Sequence, residues 1–140
     1  MSTRGYDKRS TIGYLTPAIH GPYQDQWSGV VDAAQEFGAN LLCFLGGTLN
    51  EPGGFCAQAN VIYDLIASEE VDGLVSWASS IGNYVTVDEI RAFYERYPPL
   101  PMVIIGRTLE GFSSLMMESY DGMREAIVHL AAIPYPGGAP

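Results

Sequence analysis

Thr11-Ile12-Gly13-Tyr14-Leu15-Thr16-Pro17-Ala18-Ile19-His20-Gly21-Pro22-Tyr23 decides how the chain is read. A β-branched and apolar run gives way to a loop punctuated by Pro17, Gly21 and Pro22, and an amphipathic helix pattern follows. An apolar run bounded by such breakers is the signature of a buried strand. In an open α/β sheet the first strand sits centrally, and its exit loop opens on the ligand crevice. Any ligand is therefore expected first at this loop.

Downstream, Trp27, Val30, Val31, Ala34 and Phe37 recur at helical spacing, and Gly38 stops the helix. Residues 39–45 are apolar almost throughout, as suits a parallel strand covered on both faces. After a Gly- and Asn-containing loop, a helix is expected from Cys56 to Ser68, with Ala59, Ile62 and Ile66 on one stripe and Val61 and Leu65 beside it. Residues 71–77 form the third strand and residues 78–85 a loop.

Thr86 and Glu89 make a capping-box pair at the start of the next helix, which buries Ile90, Phe93, Tyr94 and Tyr97. Pro98-Pro99 ends it, Met102–Ile105 is the fourth strand, and residues 113–117 are a short fifth. A last helix starts near Ser119 or Asp121 and is expected to bury Met123, Ala126, Ile127 and Leu130. The order β-α-β-α-β-α-β-β-α calls for an α/β fold. We expect three layers: a mostly parallel, five-stranded Rossmann-like sheet in the flavodoxin-like order 2-1-3-4-5, with helices on both faces. Residues 1–10 read as a flexible leader, 11–133 as the folded unit and 134–140 as a flexible tail.

At 140 residues the chain is long enough for one domain with a real core. Hydrophobic residues make up 47%, while a net charge of −9 with seven Lys and Arg disfavours direct nucleic-acid contact or an anionic membrane surface. No apolar run approaches the roughly 18 residues needed to span a bilayer. The polar N-terminal stretch carries no signal-type hydrophobic segment, so a cytoplasmic location is expected. Cys43 and Cys56 offer neither a disulfide framework nor metal spacing.

Several segments together are similar to a known family. Ile12-Gly13-Tyr14-Leu15 with Gly21-Pro22-Tyr23 resembles the opening of LacI/GalR-type effector-binding domains, of the periplasmic-binding-protein-like class I fold. Gly29 and Ala33-Ala34 fall where that family has a G-x-x-x-A-A helix, and Val71-Asp72-Gly73-Leu74-Val75 looks like its V-D-G-[LI]-[IV] strand. Pro101-Met102-Val103-Ile104-Ile105-Gly106-Arg107 resembles its P-V-V-x-[IF]-[DG]-R strand. Gly122-Met123-Arg124-Glu125-Ala126-Ile127-Val128-His129-Leu130 resembles its G-[AM]-R-E-A-[IV]-x-H-L helix. Residues 40–47 and 60–65 are similar to a subgroup that serves as sensor input to bacterial signalling proteins. The family continues from this last helix into a basic strand opening a second subdomain, whereas Ala132-Ile133-Pro134 diverges. The resemblance therefore covers the N-terminal subdomain alone.

The resemblance implies ligand contacts from loops at the carboxyl ends of the strands. Carried over residue by residue, it places His20 and Tyr23 after the first strand and Trp77 and Ser79, beside Ser80, after the third. Arg107 follows the fourth strand and Glu118 the fifth. An aromatic ring can stack on a sugar or purine, and a guanidinium can grip a hydroxyl or carboxylate in two-pronged fashion.

Each residue also has a plainer reading. Tyr23 can cap the first helix, His20 can be a solvated loop residue, Trp77 can pack on a neighbouring helix, Arg107 can pair with Glu110, and Glu118 can serve a helix start. Gly46-Gly47 and Gly53-Gly54 lack any phosphate-loop context. No nucleophile–base pair or metal-ligand cluster is evident, so no catalytic residues, metal or cofactor are expected. The implied function is a non-enzymatic regulator domain that binds a sugar-like or nucleoside-like effector and works as a homodimer. The alternatives are a structural or dimerisation unit without a ligand, or a flavodoxin-like enzyme.

Overall fold

The computed structural model describes residues 9–67 and 70–134. Its sheet holds β1 (Thr11–Thr16), β2 (Asn40–Leu45), β3 (Gly73–Ser76), β4 (Met102–Ile105) and β5 (Ser113–Leu115). All pairings are parallel and the order is β2-β1-β3-β4-β5, with helices on both sides, as the sequence implies. The helices are α1 (Gln24–Glu36), α2 (Cys56–Ala59), α3 (Ala78–Ile81), α4 (Val87–Glu95) and α5 (Tyr120–Ala132). Single 3-10 segments occupy Gly21–Tyr23 and Asn60–Ala67. Among the described residues no helix is long and apolar enough to cross a membrane. Most of the expected leader and tail lies outside the described residues.

The register sorts the side chains into two unequal faces. Gly13 pairs with Leu42 and Leu74, and Leu15 with Phe44 and Ser76, so these positions share one face. Tyr63 and Ile66 cover that face together with Ala78 and Ile81 of α3 and Ile90, Phe93 and Tyr94 of α4. Each such fully buried large side chain contributes about 1.5–3 kcal/mol of transfer free energy. Edge-to-face contacts at 5.6, 5.1 and 5.6 Å join Phe93 to Tyr63, Tyr94 and Tyr97. Their buried hydroxyls are all bonded: Tyr63 to the Gly47 carbonyl, Tyr97 to the Tyr63 carbonyl, and Tyr94 to Ser76 Oγ at 2.7 Å. The opposite face carries Ile12, Tyr14, Leu41, Val75, Ile105 and Leu115, and α1 is the helix laid over it.

Several expectations need correction. The segment after Cys56 is not one α-helix: after one α turn it tightens into a 3-10 helix, in which side chains three apart align. Asn60, Tyr63 and Ile66 therefore share the inner side, while Val61, Leu65 and Ala59 face out. Ser68 lies outside the described residues. β2 is an edge strand with one partner, so Leu42 and Leu45 are exposed rather than covered on both faces. Residues 78–85 contain the short helix α3 rather than loop alone. Phe37 follows the last turn of α1 and is 81% exposed. The expected buried stripe of α5 is exposed throughout, because nothing in the described chain covers it.

The capping box is present as expected. Thr86 Oγ1 accepts from Glu89 N at 3.2 Å, and Glu89 Oε2 accepts from Thr86 N at 2.8 Å. The Thr86 backbone N–H, then its hydroxyl, hold the Glu89 carboxyl below the usual carboxylate range. A depressed carboxylate adds stability above its unfolded pKa and loses it as pH falls through the folded value. The stability gap between wild type and Glu89→Ala is therefore expected to be full at neutral pH and to close in acid. Urea denaturation along a pH series checks this; a pH-independent gap would refute the charged cap.

On the α1 face the Tyr14 hydroxyl is buried with no well-formed hydrogen bond among the described residues, although the Thr16 side chain lies close to it. Leaving such a group unsatisfied costs about 1–3 kcal/mol. Tyr14→Phe is expected to raise unfolding stability by about 1 kcal/mol in denaturant titration, and a loss of stability would show that the hydroxyl is bonded in solution.

Candidate functional site

The sheet order reverses between β1 and β3, because β1 connects to β2 on one side and the chain returns to β3 on the other. In open α/β sheets that reversal opens a crevice beyond the carboxyl ends of the strands. Two loops meet there. The first begins with a turn in which Thr16 Oγ1 donates to the Ala18 carbonyl at 2.7 Å. Pro22 then lies in the 3-10 turn that delivers Tyr23 to the start of α1. The second loop leaves β3 through Trp77, whose N–H donates to the Leu15 carbonyl at 3.0 Å and extends the β1–β3 ladder.

Tyr23 joins the two loops. Its hydroxyl donates to Ser80 Oγ at 3.1 Å, and its ring meets the Trp77 indole edge-on, with centroids 5.7 Å apart at 83°. Trp77 is buried, and its other surroundings include Gln26, Gly29, Val30 and Ala33 of α1. Trp77 thus stands between the Tyr23 ring and the cavity beside α1. His20 stands exposed at the entry to the 3-10 turn, where its carbonyl accepts from Tyr23 N.

The loop after β4 reaches the same region from the other side. Gly106 turns the chain with φ +79°, and a Cβ there would collide with Ser79 Oγ of α3. Arg107 follows, and its Nη2 donates to the Gly82 carbonyl at 2.8 Å, so the guanidinium ties this loop to the end of α3. An ion pair of Arg107 with Glu110 does not form; the Glu110 carbonyl instead receives Arg91. Burial pushes the Tyr94 hydroxyl well above the ordinary tyrosine range, against the pull of its Ser76 bond and of the Arg107 charge. Arg107 is therefore a clasp between two loops, with its charge felt at Tyr94.

Glu118 does not join this group. Its Oε1 accepts from Tyr120 N at 3.2 Å, which satisfies one free N–H at the start of α5. Ser119 is the N-cap residue but its hydroxyl donates backward to the Met117 carbonyl. The structure thus brings together Tyr23, Trp77, Ser79, Ser80 and Arg107, leaves His20 at the rim, and gives Glu118 a helix-cap role. Gly82 and Gly106 set the geometry and were not singled out from sequence. Their signal is the Gly directly after a strand and the Gly between two helices.

Neither thiol is activated. Cys56 Sγ donates to Glu51 Oε2 at 2.9 Å, and that bond, with burial and the carboxylate charge, raises its pKa. Burial raises that of Cys43. Among the described residues no group of three His, Cys, Asp or Glu side chains could hold a metal ion. Two cavities of about 410 and 420 Å³ lie on the α1 face of the sheet, and of the candidate residues only Trp77 lines either.

Scans against family models, curated proteins and solved structures find no match to this chain.

The turn at Gly106 can be tested against Gly111, which has φ +87° but open space around its would-be Cβ. Both Gly→Ala substitutions meet about 1–3 kcal/mol of backbone strain. Gly106→Ala is expected to cost about 1 kcal/mol more, because it also presses on Ser79. Equal losses in urea denaturation would show that α3 does not lean on this turn.

Proposed function

We propose that this chain is a ligand-sensing domain of the LacI/GalR effector-binding type, corresponding to the N-terminal subdomain of a cytoplasmic bacterial regulator. The observation that carries the reading is the meeting of the β1 and β3 exit loops at the sheet's reversal point, where Tyr23 touches both Trp77 and Ser80. That position is where open α/β sheets hold ligands. The aromatic and hydroxyl groups there, with Arg107 at the side, suit a sugar-like or nucleoside-like effector offering a flat face and several hydroxyls. The ordered sequence resemblance over residues 11–130 supports the same class.

In this reading the effector is held between these loops and a facing wall. Closure is favoured by contacts that both walls make only in the closed state. No residue is assigned to bond making or breaking, and the closure is passed to an output through a homodimer. A structural unit without a ligand is the second reading. It is favoured by the bonds that Tyr23, Arg107 and Glu118 already make to protein atoms.

A thermal-shift screen of sugars, nucleosides and small acids separates the two. A ligand at one hundred times its dissociation constant stabilises by about 2.7 kcal/mol, a clear rise in Tm. We expect such a rise for at least one compound and its reduction in Arg107→Ala and Tyr23→Ala. No rise with any compound, or a rise that survives both substitutions, would sink the sensing assignment.

A further inference from the structure

β2 stands at one end of the sheet and has a single partner, β1. The phase of that pairing is fixed at its first residue, where Asn40 N donates to the Ser10 carbonyl at 2.8 Å. In a parallel ladder alternate residues bond to the same neighbour, so Asn40, Leu42 and Phe44 direct their backbone groups at β1. Leu41, Cys43 and Leu45 turn theirs outward, and among the described residues no hydrogen bond engages them.

Such a row of unpaired donors and acceptors is a template for another strand. Folded proteins guard it with a charge, a proline, a bulge or a very short edge. β5, at the other end of the sheet, is guarded by its length, being three residues of which two are serine. β2 runs for six residues, Asn-Leu-Leu-Cys-Phe-Leu, with no charge, proline or glycine among them and no break in register. Its flank is shaped as well. A cavity of about 250 Å³ lies between β2 and the 3-10 segment, lined by Leu42, Cys43, Phe44, Ile62 and Leu65.

Together the edge and the cavity name the occupant. Donors and acceptors repeating at every second residue are matched by an extended chain, whereas a helix bonds its backbone groups internally and has none to offer. The cavity beside them takes side chains from one face of that chain, which are those at alternate positions. The net charge of −9 favours cationic flanks over acidic ones. We propose that β2 is a docking edge for an extended peptide segment of a partner protein, apolar at alternate positions and flanked by basic residues, which joins the sheet as a further strand. The proposal does not rest on the ligand reading, since Tyr23, Trp77, Ser80 and Arg107 all belong to other elements.

Hydrogen–deuterium exchange of the 140-residue chain, read amide by amide by NMR, is the measurement, with the synthetic probe acetyl-Lys-Val-Thr-Val-Thr-Val-Lys-amide. In the chain alone Leu42 and Phe44 are expected to exchange slowly and Leu41, Cys43 and Leu45 fast. The probe is expected to slow the last three by about fivefold or more and to leave the first two unchanged. The same peptide N-methylated at every residue cannot pair as a strand and is expected to have no effect. Replacing its lysines by glutamates is expected to weaken it. Cys43→Pro removes an outward N–H without touching the β1 ladder, at a site where edge strands accept proline, and is expected to weaken the probe about tenfold. The N-methylated peptide alters nothing in the fold, so the test stands without this variant. A probe that slows none of the three amides overturns the proposal. So does equal protection by the N-methylated peptide, which marks apolar contact without strand pairing. Slow exchange of the three amides in the chain alone overturns it too: a second copy holds the edge if the slowing grows with concentration, and the chain itself if it does not.

Discussion

Gly13 sits in the middle of β1, where a Cβ would come within 2.6 Å of Leu74 Cδ2 and 3.2 Å of Phe44 Cε2. The absence of a side chain there lets residues of the two neighbouring strands close over the central strand and meet the aromatic layer above. Leu15, two residues on, continues the same face beneath that layer. The layer itself is Tyr63, Phe93, Tyr94 and Tyr97, whose rings pack edge to face while their hydroxyls bond inward. Burial raises the pKa values of all three tyrosines, so they stay neutral and able to donate. The position of β1 and the satisfaction of this polar-aromatic roof are one constraint seen from two sides.

What could be read from sequence follows from how local each signal is. Strand β4 and the Thr86–Glu89 cap were legible because flanking prolines and a three-residue reciprocal bond fix them within a few positions. Residues 60–67 were misread because apolar residues are dense there, and several helical stripes fit them equally well. The deciding fact is the loop ahead, where Asn60 Oδ1 accepts from Gly47 N at 2.7 Å and Tyr63 bonds the Gly47 carbonyl. Those bonds select a period of three. For α5 the amphipathic pattern led to an expected buried stripe, which the structure leaves exposed. A pattern carries no information on whether a covering partner lies in the same chain.

The candidate site divides in the same manner. Breakers after β1 marked its exit loop, and the residue types there suggested an aromatic contact. The pairing of Tyr23 with Ser80 joins positions 57 apart, which no spacing rule reaches. Arg107 stood out as a rare cation after an apolar strand, yet its partner is a backbone carbonyl, and every residue has one of those. Backbone acceptors leave no trace in side-chain chemistry, so the expected Glu110 pair was the visible choice rather than the physical one.

Trp77 connects the two halves of this picture. One edge of the indole meets Tyr23 at the crevice, while the ring also lines the groove beside α1. The residue is only 8% exposed, with Tyr23 against one part of the ring and the groove beside another. The crevice loops and the bare side of the sheet therefore share one side chain. The ring that meets Tyr23 is part of the groove's own wall. The β1–β3 ladder, extended by the Trp77 bond to Leu15, fixes the backbone beneath it. The crevice and the uncovered sheet face thus meet at one residue, because Trp77 leaves β3 where the α1 side of the sheet ends and the exit loops begin.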